Sequence, residues 1–174
     1  MLEVSQIIDK ISVTVCEGML PGDFQRAEGD LDEPEDGFVA VIGFSGDTMK
    51  GALGVTAPPY AVRATHPLAV DDESLTNDQL YDWLAELSNQ LLGRIKGELM
   101  SYGVTLWLAS PVVLRGVSVR IVPRPQESVH KYTFHGHSGD FCVWVDYQYS
   151  ASLKLREVPE EEREHCTAGE MLLF

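Results

Sequence analysis

Residues 76–103 read TNDQLYDWLAELSNQLLGRIKGELMSYG, the longest helical pattern in the chain. Thr76 offers a hydroxyl N-cap, and Gln79 three residues on completes a capping box. Gly103 supplies the stop signal, so the spacing predicts a helix from Asn77 to about Ser101. An α-helix turns about 100° per residue. Leu80, Leu84, Leu87, Leu91 and Ile95 therefore share one stripe, which must face a core. Asp82, Glu86, Asn89 and Gly93, spaced by four, three and four, form one row on nearly the opposite side. Gly93 is the odd member, because a mid-helix glycine costs about 1 kcal/mol relative to alanine. Close approach of another body would compensate for it.

Outward from this helix the chain alternates between the two periods. Towards the N-terminus, Ile7, Ile8, Ile11, Val15 and Met19 recur at helical spacing and predict a first helix over Val4–Met19, broken by Pro21-Gly22. Asp23 to Gly37 is acidic with a proline and reads as a solvated loop. Phe38–Phe44 and Lys50–Ala57 read as strands joined by turn residues Ser45-Gly46-Asp47 and closed by Pro58-Pro59. A short helix is expected over Tyr60–His66, and Asp71 to Ser74 form an acidic loop. Beyond the long helix, strands are expected at Val104–Ala109, interrupted by Pro111, and at Val117–Val122, with a loop marked by Pro123 and Pro125. Val129–Phe134 and Phe141–Ser152 make a final pair, and Phe141, Val143, Val145, Tyr147 and Tyr149 alternate to one side. The pattern predicts an α+β domain with two long helices on a largely antiparallel sheet. Its order admits a duplicated helix–strand–strand unit. The domain is expected over 1–156, with an acidic tail, 157–174, whose apolar end Met171-Leu172-Leu173-Phe174 packs on it.

Bulk composition narrows the function classes. The 174 residues, 44% apolar and 23% charged, suit one core. No apolar run approaches the roughly 20 residues that span a bilayer. The start, Met1 to Gln6, has an acid and no basic region, so the expected location is the cytoplasm. Cys16, Cys142 and Cys166 are too scattered for a disulfide framework or a zinc knuckle. A net charge of −14 disfavours nucleic acid and anionic lipid as partners.

An exposed helix face is ordinarily polar, so the row alone fixes no function; its surroundings say more. Asp82-x-x-x-Glu86-x-x-Asn89, then Gly93, then Ser110-Pro111-Val112-Val113-Leu114-Arg115-Gly116, resembles the signature of the CheC/CheX/FliY phosphatase family. Val41-Ile42-Gly43-Phe44-Ser45-Gly46 with Gly51 is similar to that family's glycine-containing hairpin, and the likeness spans roughly Val4 to Ser152. The resemblance implies a CheC-like fold and hydrolysis of the aspartyl phosphate of a CheY-like response regulator. It implies that Asn89 orients the attacking water and Glu86 pairs with the regulator's lysine. Asp82 and Gly93 would serve docking. Magnesium would belong to the regulator, and the chain would need no cofactor or metal of its own. The first helix carries Asp9-x-x-Ser12 and no Glu-x-x-Asn, which resembles the single-motif CheX type and implies a homodimer. The unbroken alternation of Phe141 to Tyr149 suggests edge pairing as its route. The same fold would also suit a non-catalytic adaptor in chemotaxis or two-component signalling.

The remaining clusters read as structure. His130, His135 and His137 with Asp140 lack a helix to fix a metal geometry and suggest a surface turn. Trp83, Trp107 and Trp144 read as core or interface anchors. Ser45-Gly46-Asp47 has no basic residue at Walker spacing.

Overall fold

A computed structural model describes residues 3–27, 36–68, 75–117 and 129–156. Three helices, α1 (Val4–Met19), α2 (Pro59–Thr65) and α3 (Asn77–Met100), lie with seven strands: β1 (Gln25–Ala27), β2 (Asp36–Ser45), β3 (Met49–Ala57), β4 (Trp107–Leu108), β5 (Val112–Val117), β6 (Val129–Gly136) and β7 (Gly139–Tyr149). The fold is α+β, with one antiparallel sheet in the order β1-β6-β7-β3-β2-β4, and β5 also pairing β2. The helices cover one face of the sheet. Ile8 and Ile11 of α1, Leu84 and Leu91 of α3, and Phe38, Ile42, Leu53, Phe134, Val143 and Tyr147 of the sheet form a single buried core.

The duplication is larger than the helix–strand–strand unit expected. One set is α1 with β1, β2 and β3; the other is α3 with β5, β6 and β7. Exchanging the sets, β1 for β5, β2 for β6 and β3 for β7, returns the same sheet order read backwards. The two sets interlock, each lending an edge strand to the other's hairpin. This overturns one expectation: β7 lies between β3 and β6, its edges both paired, and cannot join two copies edge to edge. Its alternation reflects a central strand, with Phe141, Val143, Val145 and Tyr147 buried and Tyr149 exposed.

Three further boundaries differ from the sequence reading. The acidic stretch after Asp23 is not all loop: Phe24 is buried, and Gln25–Ala27 pair with Thr133–His135. The strand expected at Val104–Ala109 shrinks to Trp107–Leu108, although Val104 and Leu106 are buried. The next strand is Val112–Val117; residues 118–122 of the expected Val117–Val122 strand lie outside the described residues, as do the loop at Asp71 to Ser74 and the tail 157–174.

A bulge separates β4 from β5. Phe44 pairs with Leu108 and Val41 with Val112, so Ala109, Ser110 and Pro111 oppose only Ile42 and Gly43. Pro111 has no N–H for the ladder, and the extra residue flips the side-chain parity. Before it, Val104 and Leu106 turn inward; after it, Val113 packs on the core while Val112 and Leu114 are exposed. Close packing also explains Gly54: a Cβ there would stand 2.0 Å from the Trp144 ring that pairs across from it.

Candidate functional site on helix α3

Helix α3 begins as its capping residues dictate. Gln79 donates its backbone N–H to Thr76 Oγ1 at 3.3 Å, and Thr76 donates its own to Gln79 Oε1 at 2.9 Å. At the other end Gly103 takes φ +80°, the left-handed conformation that glycine adopts without a steric cost. Leu80, Leu84, Leu87, Leu91 and Ile95 are all buried, joined by Leu92 and Leu99. That stripe packs α3 on α1 and β2. Tyr81 meets the Phe38 ring edge-on, and Trp83 donates its indole N–H to Thr65 Oγ1 at 2.9 Å, tying α2 to the first half of α3.

Burying this stripe leaves the polar row outward. Asp82 and Glu86 are exposed, and Asn89 and Gly93 are partly exposed. A Cβ at Gly93 would meet nothing within 4 Å, so no packing within the described residues requires glycine there. The four residues thus form a continuous strip on a helix with its apolar side buried and its polar side outward. Among the described residues no hydrogen bond engages the Asn89 carboxamide, so its donor and its acceptor both stay available.

Two neighbours escaped the sequence reading. Gln90 donates from Nε2 to Glu86 Oε1 at 2.7 Å, an i,i+4 contact that spacing alone could have suggested. Ser88, fully buried between the two motif residues, donates its hydroxyl to the Leu84 carbonyl oxygen at 2.8 Å. A small side chain there lets α3 lie close to the core, and the back-bond satisfies a hydroxyl that water cannot reach.

The other constellations are structural. His130 and His135 project from opposite faces of β6, as residues five apart on a strand must. His130 stacks on Tyr147 and shares a hydrogen bond of 3.0 Å with its hydroxyl, while Asp9 of α1 lies 3.6 Å from its other ring nitrogen. His135 pairs with Asp140 across the β6–β7 turn. Among the described residues no three His, Cys, Asp or Glu side chains are placed to hold a metal ion. Ser12 is wholly buried and Asp9 faces His130, so α1 presents no counterpart of the Glu86–Asn89 pair. Ser45-Gly46-Asp47 is a turn, closed by the Gly46 N–H on the Met49 carbonyl at 2.7 Å. No helix of the described residues is long and apolar enough to cross a membrane.

Known structures share this architecture. The chemotaxis protein CheX of Vibrio vulnificus superposes with a TM-score of 0.67 at 17% identity, over 84% of this chain and 97% of that one. A CheC-like superfamily protein of a Shewanella species gives 0.66 at 19%, over 84% and 99%. A CheX–CheY–BeF3–magnesium complex from Borrelia burgdorferi gives 0.64 at 14%, over 85% and 99%. At these identities the likeness establishes the fold. No curated protein matches the sequence. A family model, chemotaxis phosphatase CheX, matches residues 38–135, a span that contains the whole of α3. Since that span exceeds half of the chain, the protein belongs to the CheX family of chemotaxis phosphatases.

Proposed function

We propose that the chain hydrolyses the aspartyl phosphate of a CheY-like response regulator, with Asn89 and Glu86 as the acting residues. One observation carries the reading: a carboxylate, a carboxamide and an open glycine position share one outward row of a helix whose other side is locked into the core. An acyl phosphate is already activated, so its hydrolysis needs positioning and charge stabilisation more than proton transfer. The Asn89 carboxamide can accept one hydrogen bond from a water and donate another beside it, holding that water in line with the phosphorus. The water oxygen bonds to phosphorus, the bond to the aspartyl oxygen breaks, and free carboxylate and inorganic phosphate leave. Glu86 pairs with the regulator's lysine and fixes the docked pose, Asp82 adds charge beside it, and Gly93 admits the partner's surface. Magnesium would belong to the regulator, where it would offset phosphoryl charge.

An edge of the sheet supports a homodimer. Val112 and Leu114 of β5 are exposed at 57% and 52%, on a strand that among the described residues pairs only with β2. In this reading a second copy adds to β5 and covers them, and the protein works in the cytoplasm beside its regulator.

The test is phosphate release from phosphorylated regulators with and without the chain. Asn89→Ala is expected to lose acceleration by on the order of 10²-fold even at saturating regulator, because water positioning acts in the transition state. Glu86→Ala is expected chiefly to raise the regulator concentration needed, so that saturation partly rescues it. Both variants keep the fold, alanine being the better helix former. Wild-type rates in both variants would move the site off α3, and binding without turnover by the parent would make the chain an adaptor.

A further inference from the structure

We infer that Lys96 is a docking and orientation residue of the same strip, pairing with an acidic side chain on the phosphorylated regulator; the inference rests on α3 being the docking face. The row Asp82, Glu86, Asn89, Gly93 continues by the same alternation of four and three to Lys96. Seven residues past Asn89, at about 100° and 1.5 Å each, place Lys96 about 10 Å along the axis and about 20° from Asn89 in direction. Gly93 alone stands between them in the row, and the space over it is open. Lys96 is partly exposed.

Within a helix, the acids that can pair with a lysine lie three or four residues away. Here those positions hold Leu92, Gly93, Leu99 and Met100. Among the described residues no carboxylate lies within ion-pairing distance of its ammonium. A shortage of acids is not the reason, since 27 acidic residues face 13 basic ones. The strip therefore runs from two carboxylates, through a carboxamide and a gap, to a cation with no acid beside it among the described residues. Such a charge order accepts a partner in one direction. A regulator that sets a lysine against Glu86 must set a carboxylate about 10 Å beyond the reacting group to satisfy Lys96. Docked the other way round, both ends meet like charge.

Arg94 provides the control. It is exposed and carries the same charge, but it lies about 140° around the helix from Asn89. On a regulator that the parent dephosphorylates, Lys96→Met is expected to raise the half-saturating concentration about two- to fivefold, the range of one exposed ion pair. Its rate at saturation should not change. Lys96→Glu should raise that concentration further, and the differences should shrink as salt screens the pair. Arg94→Met should match the parent. Equal half-saturation for Lys96→Met and Arg94→Met would overturn the assignment, as would a lower saturated rate without a change in half-saturation. Direct titration of the same variants with the phosphorylated regulator separates the failures. A parent that binds but never turns over sinks the phosphatase reading while the Lys96 comparison still decides; equal affinities, or no binding by any variant, sink Lys96.

Discussion

Replacing Gly93 and Gly97 by alanine, singly and together, asks whether these glycines serve the fold or a partner. Both sit inside α3, and at both a Cβ would meet nothing within 4 Å. Neither takes a positive φ, since the described glycines that do are Gly103 and Gly139. Nothing sterically opposes the added methyl, and the helix gains propensity of about 1 kcal/mol per substitution. For a chain of 150–250 residues, each kcal/mol moves Tm by about 2–4 °C, so the double variant should melt about 4–8 °C above the parent. Circular dichroism at 222 nm through thermal unfolding reads this directly. Activity should respond differently at the two positions. Gly93 lies in the Asp82–Glu86–Asn89 row, where a methyl would stand under the docked regulator, so Gly93→Ala should stabilise the chain and weaken regulator turnover together. Gly97 lies about 80° from the direction of Asn89, and Gly97→Ala should stabilise with a smaller effect on turnover. A fall in Tm for either single variant would show that the space over the helix is not open and would refute the steric argument. A stabilised Gly93→Ala with unchanged turnover would refute the claim that the gap admits a partner.

Two other outcomes follow, one from burial and one from exposure. Burial, then the charge of nearby Tyr149 and Asp9, pushes the Tyr147 hydroxyl up to about 12. Burial likewise raises Tyr132, and the Cys16 thiol, with Glu17 adding to the effect, reaches about 12. For each group the folded state holds its proton more tightly than the unfolded one. Their contribution is therefore complete below pH 9–10 and is lost as pH rises towards 12, so urea midpoints should fall over that window. Tyrosine absorbance at 295 nm that titrated fully while the fold persisted would contradict the burial. At the sheet edge, Leu114→Lys should turn a dimer into a monomer by light scattering, since it sets charge on a strand that among the described residues pairs on one side only. A dimer unaffected by it must use another surface.

Helix α3 was legible because its information is local. The Thr76–Gln79 box, the stripe from Leu80 to Ile95 and the opposed row of Asp82, Glu86, Asn89 and Gly93 all depend on neighbours within a turn or two. The β2–β3 and β6–β7 hairpins were legible for the same reason, each being closed by a short turn. The features that escape such a reading are non-local. The pairing of Gln25–Ala27 with Thr133–His135 joins segments over a hundred residues apart, and no periodicity in three residues announces it. The same alternation of Phe141 to Tyr149 suits an edge strand or a central one. The choice fell to which strands arrive on either side, here β3 and β6. The parity flip at Pro111, which exposes Val112 and Leu114, exists only relative to the register of β2. Local period sets what each segment becomes; strand order and register arise from competition among all segments for the same hydrogen bonds and the same core.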